Sequence, residues 1–239
     1  MILYGFIICI MALLFYAFIE LSKLHKNYEK RELDNEYFVN CAINYSITCI
    51  FVLSIIFFRE QIFLPSGFPD MKTILLYFLV VDTINYWMHR TIHRIPFLKK
   101  FLHEHHHEHD CIPLDFLNLT KSEFSLYILN NNILPLFFIP ISLVSYLAIF
   151  ILIMFHSIYT HSELDTQFPI PGFIHSTYHR YHHQIGRGNY AVFFSIWDDF
   201  MNTRIVPPSP PPSPPPAPPP TPRQKEEKIN EKKNNDSTQ

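Results

Sequence analysis

The sequence predicts an all-α integral membrane protein, and three observations carry that prediction. Apolar residues make up 48% of the 239-residue chain, and phenylalanine alone contributes 23 residues. Long apolar stretches alternate with short polar segments, as expected for helices that cross a bilayer. Histidines recur in the polar segments at spacings of three and four, which align side chains on one helix face. We therefore expect about four transmembrane helices and a cytosolic helical cap that holds a histidine-rich di-metal site.

Four apolar stretches define the predicted crossings. The first covers about residues 1–19 and lacks a basic start and a small-residue cleavage site, so an uncleaved helix is favoured over a signal peptide. The second and third cover about 41–58 and 73–88. The fourth, 124–155, is interrupted by asparagines and prolines. It is therefore either a membrane hairpin or one span with a partly re-entrant neighbour.

Basic residues set the predicted orientation. The loop at 20–40 holds four Lys/Arg, against two in the loop at 59–72, and further basic residues follow the third span. The first loop and all histidine clusters are thus placed in the cytosol, with the N-terminus on the opposite side. A helical hairpin at 124–155 keeps the clusters on one side.

Composition divides the chain into three parts. Residues 1–74 hold the N-terminal transmembrane segments, and residues 75–206 form the domain expected to be catalytic. Residues 207–239 begin with a proline run, which adopts polyproline II and builds no core, and end in a charged segment. We predict that this tail is disordered. The functional alternative is a ligand for a proline-recognising domain.

Charge and cysteine content exclude other classes of protein and site. The net charge of −2 indicates no nucleic-acid partner. The four cysteines include no C-x-x-C pair, which argues against disulfides and thiolate metal sites and fits a reducing cytosolic face.

The histidine spacing indicates a metal site. An H-x-x-x-H pair precedes an H-x-x-H-H run, and a second H-x-x-H-H run follows far along the chain. Three histidines, His25, His105 and His109, fall outside the pattern and are not expected to be ligands. The predicted ligands are His89, His93, His103, His106, His107, His179, His182 and His183, with His161 as a ninth.

The number of these imidazoles suits two metal ions, because one ion takes four to six ligands. Neutral imidazole binds iron, zinc, copper and nickel. Two irons (Fe2+/Fe3+) fit best, since zinc has no redox chemistry and a pair of irons activates dioxygen to attack a C–H bond. Asp82 lies two helical turns before His89, and an acidic residue inside a span is expensive and usually functional. We expect Asp82 to accept a hydrogen bond from a ligand histidine; the alternative is a packing carboxylate paired with a lysine or arginine.

The histidine pattern and its flanking residues resemble the fatty acid hydroxylase/sterol desaturase superfamily over roughly residues 75–205. The resemblance rests on Asp82, Tyr86-Trp87-Met88-His89-Arg90, His93, His103-Glu104-His105-His106-His107, His161-Ser162, Pro169, His179-Arg180-Tyr181-His182-His183, Asn189-Tyr190-Ala191 and Trp197-Asp198-Asp199-Phe200. It implies a membrane-bound, non-haem di-iron oxygenase that hydroxylates or desaturates a lipid, namely a sterol, a sphingoid base or a fatty acyl chain. It also implies an endoplasmic reticulum-type membrane and electrons from cytochrome b5 or its reductase.

The resemblance assigns the nine predicted histidines as ligands and leaves two others open. His175 lies one turn before His179 and is a candidate additional ligand, and His156 is a candidate ligand or a neighbour of one. Two features depart from the family. Met201 follows Phe200 where the family has glycine, and no His-Pro-Gly-Gly haem motif occurs, so the electron donor is expected to be a separate protein.

Two further classes of function compete with an enzyme. A non-catalytic membrane protein that binds or transports a metal would be expected to place its ligands near the middle of its spans, whereas these histidines lie at or beyond span ends. A structural membrane protein whose tail recruits partners leaves the histidine spacing unexplained.

Overall fold

Helices supply the regular secondary structure of the described residues. The computed structural model describes residues 2–24, 28, 33–58, 62–64, 70–107, 111–164 and 170–206, without the side chains of 2–11 and 14. In these ranges there is no β-strand, only two isolated bridges, so the all-α prediction is confirmed there. The predictions for His25, His109, Pro169 and the tail fall outside the described residues.

The helices follow the predicted apolar stretches but extend past them. We label the α-helices in chain order and name the shorter 3₁₀ and π turns by range. They are α1 (Ile2–Lys23), α2 (Asn35–Phe57), α3 (Met71–Arg94), α4 (Pro96–Leu102), α5 (Glu104–His107), α6 (Lys121–Ile128), α7 (Leu143–Thr160), α8 (Ser176–Ile185) and α9 (Ile196–Phe200). The turns are a 3₁₀ turn at Pro113–Leu117, a π turn at Leu129–Ile133 and a 3₁₀ turn at Leu134–Phe137.

Side-chain caps explain where the long helices begin. Asp34, Asp70 and Ser142 each accept hydrogen bonds from backbone N–H groups in the first turn of α2, α3 and α7. These N–H groups have no partner inside the helix, so each cap satisfies donors that would otherwise be orphaned. Helix α3 ends at Arg94, because Pro96 disfavours helical backbone at the residue before it.

The interrupted stretch at 124–155 forms two arms of different kinds. The second arm is the continuous helix α7, whereas the first changes from α6 through the π turn to the 3₁₀ turn. The asparagines of the π turn are buried against α3 and α7: Asn131 accepts from Asn85, and Asn132 accepts from Tyr146. The polar interruption is therefore an internal packing contact.

The core lies where α1, α2 and α7 pack on the 3₁₀ turn at Pro113–Leu117. Its side chains are mostly aromatic and branched aliphatic residues, and the described residues as far as Val206 belong to one compact unit. Helix α8 packs against the end of α7. This arrangement brings the second H-x-x-H-H run to the part of the molecule that holds the first.

Two helices in the described residues are long and apolar enough to cross a membrane. They are Asn35–Phe57 and Leu143–Thr160. They correspond to the predicted second span and to the second arm of the fourth.

Candidate metal centre

The nine predicted histidine ligands converge in two neighbouring groups. Within each group the candidate ligand nitrogens lie within 4.8 Å of one another. The five-histidine group consists of His89, His93, His103, His107 and His182. The four-histidine group consists of His106, His161, His179 and His183.

Helical periodicity splits each H-x-x-H-H run between the two groups. In α8, His182 joins the five-histidine group, while His179 and His183, one turn apart, join the other. At the first run, His103 and His107 face the five-histidine group and His106 faces the four-histidine group. Adjacent histidines differ by about 100° around a helix, so an H-H pair serves two sites at once.

The Nε2 atoms of the five-histidine group point at one another. The Nε2–Nε2 distances are 2.9 Å for His89 and His103, 3.2 Å for His93 and His89, and 3.1 Å for His107 and His103. The Nε2 atom of His182 lies 3.1 Å from that of His107. An imidazole nitrogen binds a metal at about 2.1 Å, which puts adjacent ligand nitrogens about 3 Å apart.

Backbone carbonyls orient three of these rings from behind. The Nδ1–H groups of His93, His182 and His89 donate to the carbonyls of Gly186, Gly188 and Tyr190, at 3.1, 2.6 and 2.9 Å. These acceptors are alternate residues of one segment. With the hydrogen on Nδ1, each Nε2 carries a lone pair and is ready to bind a cation.

The Nδ1 atoms of the other ligand histidines have partners of different kinds, or none within the described part of the chain. Nδ1 of His103 lies 2.5 Å from Oε1 of Glu123, and Nδ1–H of His161 donates to the carbonyl of Ser157 at 2.7 Å. In contrast, the buried Nδ1 atoms of His106 and His183 have no hydrogen-bond partner among the described residues. The four-histidine group is therefore held less completely by hydrogen bonds than its neighbour.

Burial keeps these imidazoles neutral. It lowers the pKa values of His103, His106 and His182 well below the usual 6.5, and that of His107 to about 4. Neighbouring imidazoles lower these pKa values further, because cations close together repel one another. Neutral imidazole is the form that binds metals, so the clusters fit a pair of transition-metal ions.

The role expected for Asp82 needs correction. Its Oδ1 accepts hydrogen bonds from the backbone N–H groups of Val192 and Phe193, at 3.1 and 2.8 Å, rather than from a ligand histidine. The alternative partner, a lysine or arginine, is likewise replaced by these two amides. Seven residues place Asp82 on the face of α3 that carries His89, but they also put it about 10 Å farther along the axis. It therefore acts on the segment that supports His89.

A second buried carboxylate holds the same segment. Asp198 accepts from the backbone N–H groups of Tyr190 and Ala191, at 3.0 and 2.8 Å, and from the hydroxyl of Tyr178 at 2.7 Å. Together with Asp82 it fixes the chain just after the three carbonyl acceptors. The Trp197-Asp198-Asp199 motif thus supports the five-histidine group through the backbone.

The two further candidate ligands lie outside both groups. His156 packs between Phe173 and Phe193, and its Nε2 faces the carbonyl of Ile174 at 3.4 Å. His175 is the N-cap residue of α8.

An apolar cavity of about 130 Å³ borders both histidine groups. His89 and His103 line it from one group, and His106, His161 and His179 from the other. The rest of its wall exposes a mostly apolar surface, although polar side chains take part in it. It consists of Met88, Ile92, Phe116, Leu119, Leu126 and Val192 together with Asn85, Glu123, Tyr127, Ser157 and Thr160. A C–H bond placed in this cavity would lie beside both candidate metal positions.

Sequence reasoning missed the residues that support the histidines. Glu123 lies 20 residues from His103 with no spacing that links them. The carbonyl acceptors carry no side-chain signal. The nearest sequence feature is the pair Gly186 and Gly188, and the structure shows both at positive φ.

Within the described residues, two converging sets of imidazoles on a helical framework are typical of a protein that could hold metal ions through histidine. The chain belongs to the fatty acid hydroxylase family, because the sequence model of that family matches residues 74–203. This confirms the superfamily that the sequence motifs indicated.

Curated relatives are about 30% identical to this chain over the aligned regions. A methylsterol monooxygenase from Aspergillus fumigatus is 32% identical over 57% of this chain and 49% of its own length. A putative Δ7-sterol-C5(6)-desaturase from Arabidopsis thaliana is 31% identical over 56% and 48%. A very-long-chain aldehyde decarbonylase from Oryza sativa subsp. japonica is 32% identical over 56% and 46%. The chain spans about half the length of these relatives, and no solved structure matches it.

Proposed function

We propose that this chain is a membrane-bound, oxygen-dependent oxidoreductase that holds two iron ions, one in each histidine group, and hydroxylates or desaturates a lipid. One observation carries the proposal: the Nε2 atoms of the five-histidine group face one another at 2.9–3.2 Å. Three of these rings, those of His89, His93 and His182, use their hydrogen at Nδ1, so their lone pairs point inward. Inward lone pairs repel unless a cation lies between them.

Iron supports the proposed chemistry better than zinc does, because the reaction is a redox reaction. When bound, the pair of irons would supply the reduction of dioxygen that drives C–H cleavage. In the hydroxylation, one oxygen atom enters the C–H bond and the other leaves as water. The balance needs two electrons and two protons from outside, which supports an external electron donor such as cytochrome b5 or its reductase.

The residues of this chain would bind and shield the substrate. The apolar wall of the cavity excludes water and favours a hydrocarbon segment over a polar one. The volume of about 130 Å³ is smaller than the 300–1,000 Å³ typical of whole-ligand pockets. We infer that the cavity receives the reacting part of a lipid whose remainder lies outside it.

A sterol is the first substrate to test. The relatives named for a methylsterol and for a Δ7-sterol support it, while the relative named for a very-long-chain aldehyde keeps an acyl chain as the competing class. The rigid ring system of a sterol and a flexible chain differ in shape, so matched assays separate them.

The membrane arrangement belongs to the same proposal. The helices Asn35–Phe57 and Leu143–Thr160 support membrane insertion. We propose four crossings in an endoplasmic reticulum-type membrane, with the histidine groups facing the cytosol, where a soluble or membrane-anchored reductase would reach them. The basic residues that flank the proposed cytosolic segments support this orientation.

Expression in cells that lack their own enzyme of this kind tests the proposal. Purified protein should contain two iron ions per chain, consume dioxygen when supplied with reductase and lipid, and produce an oxidised sterol or acyl lipid. His106→Ala is the inactive control. Metal content without oxygen consumption for any lipid would favour the alternative, a non-catalytic protein that binds or transports metal.

A further inference from the structure

Glu123 places a buried carboxylate directly behind one cluster histidine. It lies in the first turn of α6, where its backbone N–H donates to the Thr120 hydroxyl at 3.2 Å. The residue is only 9% exposed, and its Oε1 lies 2.5 Å from Nδ1 of His103. The first turn of the helix thus fixes the direction of the carboxylate.

This contact determines how His103 meets the five-histidine group. When Nδ1 donates its hydrogen to Glu123, Nε2 is left as an acceptor. That Nε2 lies 2.9 Å from Nε2 of His89 and 3.1 Å from Nε2 of His107. His103 is therefore a shared neighbour within the group, and a change in its ring orientation alters two other contacts.

The hydrogen-bond partner of His103 differs in chemical type from those of its neighbours. The Nδ1–H groups of His89, His93 and His182 donate to neutral backbone carbonyls, whereas Nδ1 of His103 contacts the carboxyl group of Glu123. The second oxygen of Glu123, Oε2, is buried without a hydrogen-bond partner among the described residues, and Glu123 also lines the cavity. A buried carboxylate with an unsatisfied oxygen is costly unless a nearby positive charge compensates it.

We propose that Glu123 is a positioning residue for the metal ion of the five-histidine group: it orients His103 and, when ionised beside a bound cation, contributes negative charge that favours a divalent ion there. The inference rests on the proposed two-metal function. It predicts that loss of Glu123 weakens the binding of only one of the two ions, because Glu123 contacts a histidine of only one group. A merely structural role would instead weaken both sites together through the fold.

Chelator competition on the cobalt-loaded protein in detergent tests the inference. Glu123→Gln keeps the volume and an acceptor oxygen but removes the charge, and Glu123→Ala removes both. We expect the dissociation constant of one cobalt ion to rise about 10–100-fold in Glu123→Gln and further in Glu123→Ala, with the second ion unchanged. The visible absorption of cobalt should change for the weakened site alone. Exposed Glu36→Gln in α2 is the matched control and should bind both ions as the wild type does.

Glu123→Asp keeps the experiment decisive if the other variants fold poorly. It retains the charge but withdraws it by one methylene, so the same selective weakening should be smaller. Equal loss of both ions in the folded variants, or no loss of either, would overturn the role of Glu123. The metal content of the wild-type protein is measured before any variant is compared. Fewer than two ions per wild-type chain would contradict the proposed two-metal function itself, independently of Glu123.

Discussion

His106 and His105 are neighbours in the same short helix with opposite expected roles. His106 belongs to the four-histidine group, and His105 belongs to neither group. Replacing His106 with Ala should abolish lipid oxidation and lower the metal content, because one of four ligands is lost. His105→Ala should retain both. Metal analysis and oxygen uptake of the two variants check this, and an active His106→Ala protein would remove that residue from the site.

Asp82 supports the site through two backbone amides of the Val192–Phe193 segment. Asp82→Asn keeps one oxygen but loses the charge that strengthens both bonds, each of which contributes about 1.5–3 kcal/mol when the acceptor is charged. We expect lower thermal stability and an activity loss on the order of 10–100-fold, as for outer-shell partners of metal sites. Asp70→Asn, at the exposed N-cap of the same helix, should change little, since Asn caps as well as Asp. Equal behaviour of the two variants would contradict the role of Asp82.

At the scale of elements, the turn between α8 and the Asn189–Phe193 segment orients the five-histidine group. Gly188 has a φ of +65°, and an added Cβ would lie 2.6 Å from Ile205 Cδ1 and 2.7 Å from the Thr203 carbonyl oxygen. Gly188→Ala should therefore displace the carbonyl that accepts from His182 and release metal from the five-histidine group. Spectroscopic titration with cobalt measures that loss.

Gly172 provides the matched control for Gly188. Its φ is +73°, but an added Cβ would meet only Ser195 Oγ, at 3.5 Å, which is an ordinary contact. Gly172→Ala should lower stability through backbone strain, on the order of 1–3 kcal/mol, and leave metal binding intact. Metal loss of the same size in both variants would mean that strain alone, and not the displaced carbonyl, weakens the site.

For the whole molecule, the buried histidines predict that stability falls in acid. Burial holds the pKa of His107 at about 4, whereas the unfolded chain titrates near 6.5. Between these pH values the unfolded state binds more protons than the folded state. The contribution of His107 to the free energy of unfolding is therefore complete above pH 6.5 and is lost as the pH falls toward 4. Thermal unfolding in detergent at pH 7.5 and 5.5 measures the effect. The unfolding temperature of metal-loaded protein should fall further between these two pH values, because protons also displace the metal from the histidines. Equal midpoints at both pH values would contradict the prediction.

Truncation after Val206 should leave metal binding and catalysis intact. The proline run cannot build a core, and the charged end of the chain has too few large apolar residues to dock on one. Oxygen uptake and metal content of the truncated protein in detergent check this. Loss of metal would place the tail within the catalytic domain, whereas activity in detergent but not in cells would indicate that the tail recruits a partner.

The sequence by itself determined the helical class, the family and the set of nine histidines. These features depend on local periodicity and residue type, both of which are written along the chain. His103, His106 and His107 illustrate the limit: their spacing predicts a shared site, but only the orientation of the helices divides them between two groups. The partners of Asp82 and Glu123 could not be predicted for the same reason, since they are backbone amides and a ring brought close by packing. Long-range contacts between elements decide which buried polar groups meet, and no spacing along the chain encodes those contacts.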